Sequence, residues 1–293
     1  MKIVTVGSRG YLVCFDDPYE TYVYVMLGEH TRYICDTFLG PEPINEALKL
    51  LEKEGVWRKS TVVFNTHSDY DHHWGNCSFR GNMILGHDLC RRMILEKGEK
   101  ALRVYESHKR GDVEIVPPNV TFDRSIAFPD DGVRFWHTPG HTADSCSCFD
   151  DIDRVLIVGD NVEHPIPYVN DCHFDHYIST LHSYLDLGWS AMVTGHSAVH
   201  TNTQLLMENL FYLEDLSRWQ TDIIEMSQEK RSVHVSNLVR ISSQLLELNP
   251  GEEVIDHYRQ VLEVLSSQGP SPENRDAVEA ITLFLEKASQ LGT

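Results

Sequence analysis

Apolar and polar positions alternate from the start of the chain. Residues 11–15, 22–27 and 32–35 are short runs rich in β-branched and aromatic side chains, separated by turn formers, and predict a β-meander reaching to about Asp36. Ile44, Ala47, Leu48 and Leu51 then recur at helical spacing, with Gly55 where a helix would end. An apolar strand at 61–64, a polar stretch, a strand at 82–85 and a helix from about Asp88 follow. Strands are predicted again at 132–136, 154–158 and 190–194, the last preceded by a helix around 179–187.

After about Asn202 the strand signals stop. Leu205, Leu206, Leu210, Phe211, Leu213 and Leu216 form one amphipathic stretch, and Val254, Ile255, Tyr258, Val261, Leu262 and Leu265 form another. Asn249-Pro250-Gly251-Glu252 offers an N-cap, a first-turn proline and an acid three positions on. Ser271-Pro272-Glu273 opens a last helix with Val278, Ile281, Leu285 and Ala288 on its apolar face. Two domains are expected, a catalytic one over 1–202 and a helical C-terminal extension over 203–293, the latter read as packing against the core.

Three predicted strands end in a potential metal ligand. The strand at 132–136 delivers His137-Thr138-Pro139-Gly140-His141, that at 154–158 delivers Gly159-Asp160, and that at 190–194 delivers Gly195-His196. A fourth, 61–64, runs into Asn65-Thr66-His67-Ser68-Asp69-Tyr70-Asp71-His72-His73. Ligands at one end of neighbouring strands converge readily, because a sheet holds those ends side by side. Two carboxylates crowded among imidazoles repel unless a cation neutralises them. Imidazole suits zinc, iron, copper and nickel, and added carboxylates favour harder ions or a bridged pair.

Composition narrows the partners. A formal charge of −19 repels phosphate backbones, and no basic patch offsets it, so a small-molecule substrate is expected and nucleic acid is not. The seven cysteines are odd in number and scattered through apolar segments, which fits a reducing, cytoplasmic setting. The apolar start is broken by Gly7-Ser8-Arg9-Gly10, and no run is long enough to span a bilayer, so no membrane association is expected. The apolar helical tail is consistent with a homodimer.

In this order, the motifs resemble those of the metallo-β-lactamase-fold superfamily over about the first 200 residues. The family pattern His-x-His-x-Asp-His is similar to His67-Ser68-Asp69-Tyr70-Asp71-His72, and the family's Pro-Gly-His-Thr, Gly-Asp and Gly-His correspond to Pro139-Gly140-His141-Thr142, Gly159-Asp160 and Gly195-His196. Asp36 resembles the acid that supports the ligand loop from an early strand. The resemblance implies an α/β fold, a four-layer αββα sandwich with the helical appendage added, and a dinuclear centre. One metal would take His67, Asp69 and His141, the other Asp71, His72 and His196, with Asp160 bridging. Asp69 departs from the family histidine; its extra negative charge moves the preference from zinc toward iron or manganese and admits a mixed-valence pair.

Three functions follow as expectations. The first is a hydrolase acting on an ester, lactone or thioester, with Asp71 receiving the nucleophile's proton and Tyr168 and Tyr177 as candidate oxyanion donors. The second is a diiron enzyme of oxygen or nitric oxide chemistry, related to the flavodiiron branch and needing an external electron donor. The third is a metal-bound sensor or scaffold. His164, Asp171, His173 and His176 are read as substrate contacts or loop polarity, His73 as a supporting or surface group, and Cys146 and Cys148 as small apolar side chains on one strand face.

Overall fold

A computed structural model describes residues 1–58, 60–267 and 272–291. Strands β1 (Lys2–Val6), β2 (Gly10–Phe15), β3 (Thr21–Leu27), β4 (Thr31–Cys35), β5 (Ser60–Phe64), β6 (Met83–His87) and β7 (Val120–Phe122) form one sheet in chain order. The pairs are antiparallel up to β4 and parallel from β4 to β7. The switch has a local cause, because α1 (Pro41–Lys53) provides the crossover that a parallel β4–β5 pair requires. Strands β8 (Ser125–Phe128), β9 (Val133–His137), β10 (Cys146–Asp150), β11 (Val155–Gly159), β12 (Ala191–Thr194) and β13 (Val199–His200) form the second sheet, ordered β13-β12-β11-β10-β9-β8. Its β11–β12 pair is parallel.

The alternation read in the sequence sorts these strands' side chains. Tyr24, Met26, Cys35 and Phe64 of the first sheet share a buried cluster with Phe135, Cys146, Cys148, Ile157 and Val193 of the second. The Phe64 and Phe135 rings lie 4.3 Å apart. Val23, Val25, Ile34 and Val63 face the other way and meet Ile44, Ala47 and Leu51 of α1. Each fully buried aliphatic of this kind contributes about 1.5–3 kcal/mol of transfer free energy. Cys146 and Cys148 behave as the apolar side chains expected, and burial pushes both thiols up.

Helices α2 (Tyr70–His73) and α3 (Asp88–Val104) complete the ordering of the first sheet's connections, and α4 (Phe174–Leu185), α5 (Gln204–Ser217), α6 (Gln228–Glu247), α7 (Glu252–Ser267) and α8 (Pro272–Leu291) follow. The chain forms two compact units. One comprises Met1–Pro139, Ala143–Asn161 and Tyr184–Thr203; the other comprises Gly140–Thr142, Val162–Ser183 and Gln204–Thr293. In the second, Tyr258 of α7 stacks on Phe284 of α8 at 3.9 Å, and its hydroxyl donates to the Leu238 carbonyl of α6 at 2.7 Å. No described helix is long and apolar enough to cross a membrane.

Two local readings are corrected. Helix α7 begins at Glu252, so Pro250 lies outside its first turn, and Gly251 supplies the carbonyl that accepts from Val254 and Ile255. Asn249 instead closes α6, with φ of 58° and its N–H on the Leu246 carbonyl, a left-handed position that asparagine tolerates. Helix α6 is absent from the sequence reading because its buried face mixes His234 and Asn237 with Val233, Leu238 and Ile241, which masks the apolar period. The last helix starts at Pro272; Ser271, named as its opening, lies outside the described residues.

Candidate metal centre

The ligand loop is fixed by the strand beside it. Cys35 of β4 is in register with Phe64 of β5, which places Asp36 next to the residues that follow Phe64. Asp36 takes φ of 65°, in the left-handed region that non-glycine residues rarely occupy. Its buried carboxylate accepts from the Thr66 N–H at 2.8 Å and the Thr66 hydroxyl at 2.7 Å, and bonds His72 Nδ1 at 2.9 Å. Three hydrogen bonds from two residues hold a strained residue at a chemical site, a typical place for stored strain. The role expected of Asp36 is what these contacts describe.

With Nδ1 on Asp36, His72 turns Nε2 inward. A single helical turn over Tyr70–His73 sets Asp71 and His72 side by side, closed by the His72 N–H on the Asp69 carbonyl at 3.0 Å. From the second sheet, β11 ends in Gly159-Asp160 and its parallel neighbour β12 leads to Gly195-His196. Both glycines are needed. A Cβ on Gly195 would fall 2.0 Å from Asp160 Oδ1, and one on Gly159, where φ is 55°, would fall 2.9 Å from the Thr66 Cβ. Without side chains the two backbones join through a Gly195 N–H to Gly159 carbonyl bond of 2.8 Å.

Asp160 Oδ2 is the meeting point, 3.6 Å from His67 Nε2, 3.3 Å from His72 Nε2 and 3.2 Å from His196 Nε2. Asp71 Oδ2 lies 3.4 Å from His196 Nε2 and 3.7 Å from His72 Nε2, and Asp69 Oδ2 lies 3.6 Å from His67 Nε2. Metal–ligand bonds of about 2.0–2.1 Å give tetrahedral ligand-to-ligand edges of about 3.3 Å, so these separations suit donors sharing a cation. The His67, His72, Asp160 set and the Asp71, His72, His196 set are each compact enough for an ion. Donor chemistry and spacing fit a bound metal.

The charges lean the same way. Burial disfavours the Asp160 carboxylate, yet the imidazoles of His72, His196 and His67 outweigh that and hold its pKa well below the ordinary value. Burial would likewise lower His72, but Asp160, Asp71 and Asp36 raise it well above the usual imidazole value; His196, opposed by burial and driven chiefly by Asp160, rises to about 10. His73 behaves oppositely. It is buried rather than at the surface, and burial lowers it to about 4.

The remaining sequence-selected residues fall in the second unit. His141 Nδ1 lies 3.2 Å from the Tyr168 carbonyl and 3.9 Å from Glu163 Oε2. Tyr168 is half-buried under the Arg240 guanidinium, 4.9 Å from its ring, and Tyr177 is buried in α4. His164 is exposed beside Glu229, while His173 and His176 stack at 5.9 Å, with the His173 N–H on Asp171.

Sequence reasoning passed over Tyr19. Its hydroxyl bonds that of Tyr70 at 2.9 Å, Tyr70 in turn bonds His108 Nδ1 at 2.8 Å, and the Tyr19 ring lies 5.8 Å from that of His196. Burial, with Asp71 next, raises its pKa. A lone tyrosine in a hairpin turn carries no motif. It passed over the Glu20 carbonyl too, which accepts from His196 Nδ1 at 2.7 Å and so turns Nε2 toward Asp160.

Known proteins share this frame. No curated protein matches the chain in sequence. Among solved structures, the TMB-1 protein aligns with a TM-score of 0.59 at 13% identity, covering 74% of this chain and 98% of its own. A metallo-beta-lactamase from Pontibacter korlensis aligns at 0.56 and 17% identity, covering 73% and 99%, and one from Hirschia baltica at 0.57 and 12%, covering 72% and 97%. At such identities the likeness speaks for the αββα fold alone. The sequence model of the metallo-beta-lactamase superfamily matches residues 16–206, and on that match, with the ligand geometry in place, the chain belongs to that superfamily.

Proposed function

We propose that this protein is a dinuclear metal-dependent hydrolase of small esters, lactones or thioesters. The observation that carries the reading is Asp160 Oδ2, placed 3.2–3.6 Å from three imidazole nitrogens, two on the segment after β5 and one on the turn after β12. In this reading Asp71, His72 and His196 hold one ion, His67 and Asp69 hold the other with His141 assigned by family resemblance, and Asp160 serves both. Two bound cations would lower the pKa of a water and polarise the bond under attack. Asp71 is assigned to receive the proton of the nucleophile while keeping its place in the ligand set. Tyr168 and Tyr177 are the phenols assigned to the developing oxyanion.

One observation favours a second reading. Asp69 directs a carboxylate oxygen to 3.6 Å from His67 Nε2, adding a third anionic donor near a set otherwise typical of zinc. Iron and redox chemistry with an external electron donor fit that donor set. Elemental analysis of protein purified without added metal, with anaerobic spectra and an ester, lactone, thioester and phosphodiester panel, separates the two. For the hydrolase, Asp160→Ala lowers turnover by more than about 100-fold, beyond the usual effect of losing a residue behind the ligands, and removes one metal equivalent. Full activity with both equivalents retained rejects the assignment.

A further inference from the structure

Three amide side chains of the second unit bind main chain in the same bidentate way. Asn209 of α5 accepts from the Glu163 N–H at 2.8 Å and donates to the Glu163 carbonyl at 2.8 Å. Asn237 of α6 accepts from the Val169 N–H at 2.9 Å and donates to the Pro167 carbonyl at 2.9 Å. Gln244, two turns further along α6, accepts from the Cys172 N–H at 3.1 Å and donates to the Asn170 carbonyl at 3.1 Å. Between them Arg240 donates to Asn170 Oδ1 at 2.8 Å. Residues 237, 240 and 244 share one helix face, so α6 reads this segment with a single stripe of polar side chains.

The clamped segment surrounds His141. Glu163 Oε2 accepts from the Tyr168 N–H at 2.8 Å, tightening the loop on itself. The Tyr168 carbonyl accepts from His141 Nδ1 at 3.2 Å. Because Arg240 fixes Asn170 Oδ1, the Asn170 amide nitrogen must face the other way, and it lies 3.1 Å from the His141 carbonyl and 3.3 Å from His141 Nε2. A carbonyl on Nδ1 and a donor on Nε2 define one tautomer, with hydrogen on Nδ1 and a lone pair on Nε2. The same tautomer ligates a cation through Nε2 when the cation takes the place of the Asn170 amide on that lone pair.

From these contacts we infer that helices α5 and α6 position His141 for metal binding, with Asn237, Gln244 and Asn209 as the positioning residues. The inference rests on the assignment of His141 as a ligand in the proposed hydrolase. It gives the C-terminal helices a task at the chemistry: they hold a loop whose carbonyl sets an imidazole's tautomer and aim.

The test titrates the full-length, metal-free chain with Co²⁺, following visible absorption and chelator competition, and adds thermal melts. Gln244→Glu is the decisive variant, because it keeps the acceptor for Cys172 and loses the donor for Asn170 at nearly equal volume. It weakens one of the two Co²⁺ equivalents by about 3–10-fold, less than the 10–100-fold of a direct ligand partner, and alters the absorption bands. Melting of the metal-free Gln244→Glu protein stays within about 3 °C of the parent, whereas Asn237→Ala weakens Co²⁺ further and also lowers melting. Unchanged Co²⁺ affinity and spectrum in Gln244→Glu and Gln244→Ala, with one equivalent lost in His141→Ala, overturns the positioning role and leaves the metal assignment standing. Two equivalents retained in His141→Ala overturns the assignment itself, and this inference with it.

Discussion

Two pairs of histidines bring their Nε2 atoms almost equally close: His72 and the half-buried His196 at 3.4 Å, and the buried His234 and His257 at 3.0 Å. The surroundings differ. The first pair is ringed by Asp36, Asp71 and Asp160, and those carboxylates overcome burial to raise both pKa values. The second sits among Tyr212, Thr221 and Asn237, where nothing opposes burial, and falls to about 3 for His234 and about 4 for His257. In the second pair a neutral chain satisfies every polar atom it uses: Asn237 donates to the Tyr212 oxygen, Tyr212 to His234 Nδ1, and His234 Nε2 to His257 Nε2. Imidazole proximity therefore does not define a metal site. Carboxylates do, because they make a cluster that binds positive charge, whether proton or metal.

Breaking the supporting carboxylate tests this contrast most strongly. Asp36→Ala removes the partner of His72 Nδ1 and both bonds to Thr66, and is expected to weaken metal binding by about 10–100-fold in chelator competition. Equal affinity in the variant makes the carboxylate ring incidental. The counterpart in the other pair is His234→Ala, which removes the Nδ1 contact of the Tyr212 hydroxyl and the Nε2 contact of His257. It costs about 1–3 kcal/mol of stability by denaturant unfolding, while metal content stays at the parent value. Loss of a metal equivalent there erases the distinction between the pairs.

Near neutrality the smallest effect is that of mild acid, just below pH 6.5, and it grows as pH falls. His234 and His257 have depressed folded pKa values, so below the ordinary 6.5 the unfolded chain takes up protons that the folded pair refuses. Their contribution to stability is present above that pH and is lost as pH falls toward about 4 and then about 3. Stability curves for the parent and His234→Ala should converge as pH drops through this window; a constant gap assigns the acid sensitivity elsewhere.

Much of the frame was legible because each candidate ligand is announced twice, by an apolar strand and by the glycine or polar cluster that ends it. Gly159-Asp160 and Gly195-His196 show this: a β-run stops at a residue only a close backbone approach requires, and a donor follows. The loop at 67–72 is visible through its composition alone. What the sequence conceals is support that depends on folded neighbours. Asn209, Asn237 and Gln244 look like ordinary helix polar residues until the loop they bind is present. Tyr19 lies 51 positions from the hydroxyl it meets, a separation no local pattern spans. Strands β7 and β8, three and four residues long, are too short to show a period.

The bond from the Gly195 N–H to the Gly159 carbonyl makes the separation of Asp160 and His196 a property of the sheet rather than of any side chain. Such a frame behaves like a socket with interchangeable contacts. Side chains on the neighbouring loop, Asp69 among them, can be exchanged by substitution while the span between the Asp160 carboxylate and the His196 imidazole stays constant. On such a backbone the donor set can be altered by point substitution without rebuilding the frame that spaces it.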